Sequence, residues 1–229
     1  MKFEIDMLIT LQIGSRAGCK NVIIWLLILK MCSSFGQVER PKKIVVIDPG
    51  HGGKDTGAIG VHGVLEKEVV LKIAKEILNH NHLILDDTIE VYLTRYKDTL
   101  ISLSDRAMLA RALRSNLFIS LHCNAATTGV KGMEIFIADK DNPHIVASKQ
   151  LARYILRESG IKLGIRERGV KLGNFQVQRE TMDYCPTILI ETGFVTHVDE
   201  GDYYKEPRNI KAMALAILLG IYNYLKSGE

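Results

Sequence analysis

Two patterns of apolar residues alternate along this chain from residue 44 onward: short apolar runs and longer stretches with helical spacing. The runs at 44–47, 116–124 and 187–190 predict strands that are buried on both faces. Residues 90–95 alternate in polarity and 132–138 are again mostly apolar, so both segments are expected to be strands.

Helical spacing is clearest at 65–78, where apolar residues recur on one face. Further helices are expected at 105–114 with Ser104 as its cap, from Asn142-Pro143 to Gly160, and from Pro207 onward. Residues 166–179 are interpreted as a basic loop interrupted by glycines. Strands that alternate with helices predict an α/β fold, a single domain with a mostly parallel twisted sheet flanked by helices on both faces.

Composition limits the possible partners. The chain has 229 residues, 47% of them hydrophobic, which is enough for one sizeable core and gives no sign of a second. Lys and Arg exceed Asp and Glu by 30 − 26 = 4, and no basic run is interleaved with aromatic residues. We therefore expect no nucleic-acid partner. The protein is separately expected to be a monomer.

The first forty residues differ from the rest. An apolar run of eight, Val22 to Leu29, is followed by small and polar residues up to Gln37. A membrane-spanning helix needs about 20 apolar residues, whereas the core of a secretory signal needs about 7 to 15. We expect an export leader at 1–40, a catalytic domain at 41–229, no stable membrane span, and a periplasmic or cell-wall location.

Three of the predicted strands end at side chains that can bind a metal or carry a proton: His51, His122 and Glu191. Parallel strands would bring these ends to one edge of the sheet, together with Glu66 at the start of the first helix. Two imidazoles and one carboxylate are the protein ligands of many catalytic zinc sites. We expect one zinc ion on His51, Glu66 and His122, with Glu191 taking a proton from the activated water.

Spacing alone leaves alternatives open. The two glutamates could exchange roles, and the same donors could hold ferrous iron. His62 is a competing ligand, although a loop histidine usually faces solvent. Asp48 could orient His51 as a hydrogen-bond acceptor or could belong to the turn that ends the strand.

A basic segment and a cysteine next to His122 are further candidates for ligand contacts. Four basic residues of the expected loop could meet an anionic ligand, although a solvated loop is slightly favoured: Arg166, Arg168, Lys171 and Arg179. Strand alternation places Cys123 on the face opposite His122, so we expect a small buried apolar residue there and not a ligand.

The order of motifs resembles that of the zinc-dependent N-acetylmuramoyl-L-alanine amidases of the amidase 3 type. The motifs extend from about Lys42 to Lys226, and they include 46–55 with Gly57, Glu66-Lys67, Thr94-Arg95 with Asp98, Leu103 with Arg106, 118–122 with Asn124, and 190–194. The resemblance implies hydrolysis of the amide between N-acetylmuramic acid and L-alanine in peptidoglycan. It also implies zinc ligands at His51, Glu66 and His122, a catalytic Glu191, and an exported enzyme of cell separation or wall recycling.

The chain departs from the family pattern at Cys123 and His197, where alanine and asparagine are more usual. The segment between Ala138 and Val146 is short where some relatives carry a blocking helix, so we expect activity without an activator protein, although such a partner is possible. Two alternative functions are a zinc peptidase that cuts the stem peptide and a non-catalytic wall-binding protein with the same fold.

Overall fold

The computed structural model describes Trp25 and residues 41–127 and 129–228. The expected leader therefore lies outside the described residues except for Trp25. A separate compact unit begins at Lys42. Within the described residues, no helix combines the length and apolarity that crossing a bilayer requires.

The described unit contains six strands and six α-helices. The strands are β1 (Lys43–Pro49), β2 (Ile89–Leu93), β3 (Leu117–Asn124), β4 (Met133–Ala138), β5 (Glu167–Gly173) and β6 (Thr187–Phe194). The helices are α1 (Glu66–Leu85), α2 (Leu103–Ala112), α3 (Ile145–Leu163), α4 (Gln176–Thr181), α5 (Val198–Lys205) and α6 (Pro207–Ser227).

All six strands form one sheet in the order β2-β1-β3-β6-β4-β5. Every neighbouring pair is parallel except β4 and β6, which are antiparallel. The prediction of a mostly parallel sheet is confirmed. Because β1, β3 and β6 run in the same direction, their carboxyl ends lie at one edge, and His122 pairs directly with Glu191 across β3 and β6.

Helices cover both faces of the sheet, as predicted. Val45 and Ile47 belong to the larger core, which includes apolar residues of α1, α3 and α6. Val46 faces the other side and joins a smaller cluster with Ala110 of α2 and Val177 of α4. The alternation within β1 therefore supports two separate apolar layers.

Two expected helix boundaries are wrong. Ser102, not Ser104, caps α2, because its hydroxyl accepts a hydrogen bond from the Asp105 backbone N–H at 3.1 Å. Ser104 lies inside the helix and donates to Glu180. Similarly, α3 continues through Gly160 and ends before Gly164, whose φ of 65° provides the left-handed cap.

The interpretation of 166–179 as a loop is also wrong. Most of this segment is the edge strand β5 and the short helix α4. Strand β5 pairs in parallel with β4, from Met133 opposite Glu167 to Ala138 opposite Gly173. An edge strand that is exposed to solvent on one side needs few apolar residues, so its sequence alone gives little indication of a strand.

Candidate metal centre

The His51 backbone is held in an unusual conformation directly after β1. Its φ is 58°, a left-handed value that is uncommon outside glycine. Arg95 donates from Nε to the Pro49 carbonyl at 2.9 Å and from Nη2 to the Gly50 carbonyl at 2.7 Å. Arg106 donates from Nη2 to the His51 carbonyl at 2.7 Å. Two guanidinium groups therefore fix three consecutive carbonyls and the direction in which His51 projects.

Glu66 is the first residue of α1 and lies between the two histidines. Its Oε1 is 3.0 Å from His51 Nε2 and 2.9 Å from His122 Nδ1. Backbone N–H groups also donate to this carboxylate, from Cys123 to Oε1 at 3.0 Å and from Ala58 to Oε2 at 2.7 Å. Only 4% of Glu66 is exposed, and the hydrogen bond from Cys123 ties its carboxylate to β3.

Among the described residues, the three expected ligands form one group that could hold a metal ion. One donor atom from each of His51, Glu66 and His122 lies within 4.8 Å of the other two. Ligands at about 2.1 Å from a tetrahedral zinc ion would be about 3.4 Å apart, close to the observed spacings from Glu66 to the imidazoles. Three donors would leave a fourth position for water.

Glycine is needed where the backbone passes these ligands. A Cβ at Gly50 would lie 2.3 Å from His122 Cε1, and a Cβ at Gly57 would lie 2.5 Å from Glu66 Oε2. Gly57 also has a φ of +65°. The glycines of the motif therefore leave space for the side chains of the site itself.

Asp55 contacts the second nitrogen of His51. Its Oδ2 lies 2.9 Å from His51 Nδ1, so Nδ1 can donate to the carboxylate while Nε2 faces Glu66. The possibility that Asp48 orients His51 through a direct hydrogen bond is wrong, because Asp48 accepts from three other side chains. These donors are Thr94 Oγ1 at 2.6 Å, Arg106 Nη1 at 2.7 Å and Ser120 Oγ at 2.8 Å.

Glu191 lies beside the group and not within it. On β6 it pairs with His122 of β3 on one side and with Glu134 of β4 on the other. Its Oε2 is buried and has no hydrogen-bond partner among the described residues. Burial raises the pKa of Glu191 to about 7, with the charges of Glu66 and Glu134 adding to the increase and the histidines opposing it.

The pKa values of Glu66 and His51 are shifted by the contacts that these two residues make within the site. Burial raises the pKa of Glu66, but hydrogen bonds from His122 and His51 outweigh it and leave this pKa well below its usual range. Burial lowers the pKa of His51, but the hydrogen bonds and charges of Glu66 and Asp55 raise it by a larger amount, so that the pKa of His51 reaches about 8. The metal-free site therefore has an ionised Glu66 and favours a protonated His51 near neutral pH.

A groove of about 790 Å³ borders the site on the side of α2 and α4. His51 and His122 lie at its lining, and Asp48 and Leu189 contribute from the sheet. Much of the remaining lining is apolar and comes from Leu100, Ile101, Leu103, Phe175 and Val177. An extended ligand can therefore pass the metal-binding group along the sheet face.

The side chains of His62, Cys123 and His197 do not belong to the metal-binding group. The His62 side chain is 57% exposed and lies 3.6 Å from Asp202. Cys123 is buried, and its Sγ lies 3.3 Å from Thr192 Oγ1. The His197 side chain accepts from the Asp199 N–H and caps α5. Sequence reasoning missed the role of Asp55, for which its position four residues after His51 was the available signal.

The fold and this site define an α/β protein with a candidate metal centre at the carboxyl edge of its sheet. The family described as N-acetylmuramoyl-L-alanine amidase matches residues 45–223. The chain belongs to this family. Its sequence is 36% identical over 184 residues to N-acetylmuramoyl-L-alanine amidase LytC of Bacillus subtilis, covering 80% of this chain and 35% of LytC. It is 35% identical over 189 residues to the endolysin of Bacillus phage SPP1, covering 80% of this chain and 66% of the endolysin.

Solved structures show the same architecture. An N-acetylmuramoyl-L-alanine amidase from Clostridium difficile 630 superimposes with a TM-score of 0.75 at 34% identity, covering 83% of this chain and 100% of that one. The CwlD amidase from Clostridioides difficile, solved in complex with the GerS lipoprotein, has a TM-score of 0.72 at 26% identity and covers 81% and 100%. The similarity therefore extends over the whole of these two solved chains, whereas this chain spans less than two thirds of either curated relative.

Proposed function

We propose that this protein hydrolyses the amide bond between N-acetylmuramic acid and L-alanine in peptidoglycan, with one zinc ion held by His51, Glu66 and His122. The observation that carries the proposal is the position of Glu66, whose Oε1 approaches an imidazole nitrogen of each histidine at 2.9 and 3.0 Å. Family membership supports the reaction, and the chemistry of the donor set supports the metal. The same donors could hold ferrous iron, but no feature of the site calls for oxygen chemistry.

Glu191 and Glu66 have different roles in the proposed reaction. A zinc ion held by His51, Glu66 and His122 would supply a water whose pKa is lowered to about 7. Glu191 would take a proton from the attacking water and pass it to the leaving amine of L-alanine. Glu191 Oε2 has no hydrogen-bond partner among the described residues, and the pKa of Glu191 is raised to about 7. Both features suit this role, because a carboxyl group whose pKa is near 7 can accept and release a proton at neutral pH. Glu66 is already bound by four hydrogen-bonding groups and suits ligation.

The cellular setting is part of the proposal. We propose that 1–40 is an export leader, that 41–229 is the catalytic domain, and that the enzyme acts as a monomer in the periplasm or cell wall. The segment between β4 and α3 contains no helix, which supports a site without built-in occlusion. Because CwlD was solved with a lipoprotein, a protein partner is a real alternative, and strict dependence of turnover on such a partner would refute the open-site proposal.

Product analysis tests the reaction. Purified protein should contain about one zinc ion per chain, and digested sacculi should release intact stem peptides that begin with L-alanine. A peptidase would instead release peptides cut within the stem. A wall-binding protein would leave the sacculi uncut. The matched control is His62→Ala, which removes an exposed histidine of the adjacent loop and should retain both zinc and hydrolysis.

A further inference from the structure

The basic residues of 166–179 have different surroundings. Arg166 is exposed just before β5. Arg179 donates from Nη1 to the carbonyl and side-chain oxygens of Asn174, both at 2.7 Å. Arg168 and Lys171 both contact Glu134 Oε2, from Nε at 2.7 Å and from Nζ at 2.5 Å. Of these four basic residues, Arg168 and Lys171 therefore converge on one side chain, Glu134.

That place lies in line with the candidate active site. Glu134 pairs with Glu191, and Glu191 pairs with His122, so the three side chains share one face along a row across β4, β6 and β3. Neighbouring strands are about 4.8 Å apart, so the strand of Glu134 lies about 10 Å from the strand of His122. Arg168 and Lys171 approach from β5 at the far end of this row.

Donors at this end of the row are free to bind a ligand. Among the described residues, Arg168 makes a hydrogen bond only through Nε, which leaves both Nη groups available. Its guanidinium lies over the Phe194 ring, 5.2 Å from the ring centre. The Lys171 side chain is 38% exposed. Two cations therefore contact the single carboxylate of Glu134.

Apolar contacts connect this cluster to the groove. Lys171 Nζ lies 5.9 Å from the ring centre of Phe136. The Phe136 ring packs edge-on against Phe175 at 5.3 Å, and Phe175 lines the groove. The cationic pair therefore lies where a ligand that follows the sheet face away from the metal-binding group would arrive.

We propose that Arg168 and Lys171 bind a carboxylate of the stem peptide and so determine which stems the enzyme prefers. An extended peptide advances about 3.3 Å per residue, so a span of about 10 Å places that carboxylate on the second or third stem residue. The free fork of Arg168 matches the geometry of a carboxylate. This inference rests on the proposed amidase function for the identity of the ligand.

The test uses two muropeptides that differ only in the second stem residue, which carries either a free α-carboxylate or the corresponding carboxamide. Binding is measured by calorimetry in a Glu191→Gln background, where turnover does not interfere. We expect the carboxylate ligand to bind about tenfold more tightly, a typical effect of a charge-assisted hydrogen bond. Arg168→Gln should abolish this preference, whereas the neighbouring control Arg166→Gln should keep it.

A second variant separates recognition from folding. Arg168→Lys keeps a cation next to Glu134 but loses the planar fork, so it should stay folded and lose most of the preference. Three results would overturn the proposal. The Glu191→Gln protein could bind the two ligands with equal affinity, or it could bind neither. Alternatively, adding Arg168→Gln could weaken the binding of both ligands equally.

Hydrolysis of the same ligands by the unmutated protein reports on the proposed function separately. Cleavage without any carboxylate preference would overturn the subsite alone. A binding preference that Arg168→Gln removes, with no cleavage of either ligand, would support the subsite and overturn the amidase activity.

Discussion

His51 Nδ1 lies 2.9 Å from Asp55 Oδ2, while His51 Nε2 lies 3.0 Å from Glu66 Oε1. The two ring nitrogens therefore have different partners, and the imidazole can rotate little without losing one of them. In metal sites, a carboxylate on the far nitrogen fixes the tautomer of the histidine and makes it a better ligand. Asp55 is thus expected to act on the metal through His51.

Replacing Asp55 by asparagine should weaken zinc binding by about tenfold to a hundredfold, because the carboxylate that orients His51 is lost. Competition with a chromophoric chelator near neutral pH would measure the change. Asp199→Asn is a matched control, because Asp199 is an exposed carboxylate whose side chain is 71% exposed. Unchanged zinc affinity in Asp55→Asn would contradict the role given to this residue.

Replacing Glu191 by glutamine should reduce the turnover number by about a hundredfold or more while the protein still binds zinc. The reason is that Glu191 lies beside the metal-binding group but contributes no donor atom to it. Metal analysis and initial rates on the same preparation would measure both quantities. His122→Ala should lose zinc and activity together, and full activity in Glu191→Gln would show that another group transfers the proton.

The metal-free protein should become less stable as the pH rises from about 6 to about 9. His51 has a pKa of about 8 against an ordinary value of 6.5, so its stabilising contribution is complete below 6.5 and is lost as the pH passes 8. This contribution is worth up to about 2 kcal/mol at about 1.4 kcal/mol per pKa unit. The buried Glu191, whose pKa is raised from 4.5 to about 7, lowers stability as the pH rises through that lower range, because its ionisation costs more in the folded state.

Urea unfolding with a chelator present would measure this pH dependence. The double variant His51→Asn, Glu191→Gln should give a flatter profile over the same range. If the unmutated, metal-free protein were instead more stable at the higher pH, the charge assignments of the site would be wrong.

Replacing Arg106 by methionine should lower the free energy of unfolding by about 3–5 kcal/mol, since it leaves a buried carboxylate without its cation. Arg106 Nη1 lies 2.7 Å from Asp48 Oδ1, and both side chains are almost completely buried. Denaturant unfolding would measure the loss. Arg111→Met on the same helix is the control, because Arg111 packs over the Tyr184 ring at the surface and should cost less than about 1 kcal/mol.

A loss in Arg106→Met no larger than that in Arg111→Met would contradict this account of the buried pair. The double variant Asp48→Asn, Arg106→Met should recover part of the stability, because no buried charge is then left unpaired.

Local sequence was sufficient for most of the framework. The apolar runs of β1, β3 and β6 and the helical spacing of α1 and α6 reflect burial that each segment shows within a few residues. Parallel strand direction then brings His51, His122 and Glu66 together at one edge, a grouping that the structure shows. The export leader and the metal-binding roles stay predictions.

Tertiary structure decided what depends on partners distant in sequence. Strand β5 was missed because its stability comes from pairing with β4, and Val170 and Leu172 are its only large apolar residues. Ser102, and not Ser104, caps α2. Two nearby serines are equally good caps by residue type, and the backbone geometry at the start of the helix decides which of them accepts the hydrogen bond. Asp55, not Asp48, contacts His51 because the left-handed backbone at His51 and the arginines that hold it set the direction of the ring. Periodicity reports which side of a segment is buried, whereas the partner of a charged side chain is fixed only when distant segments pack together.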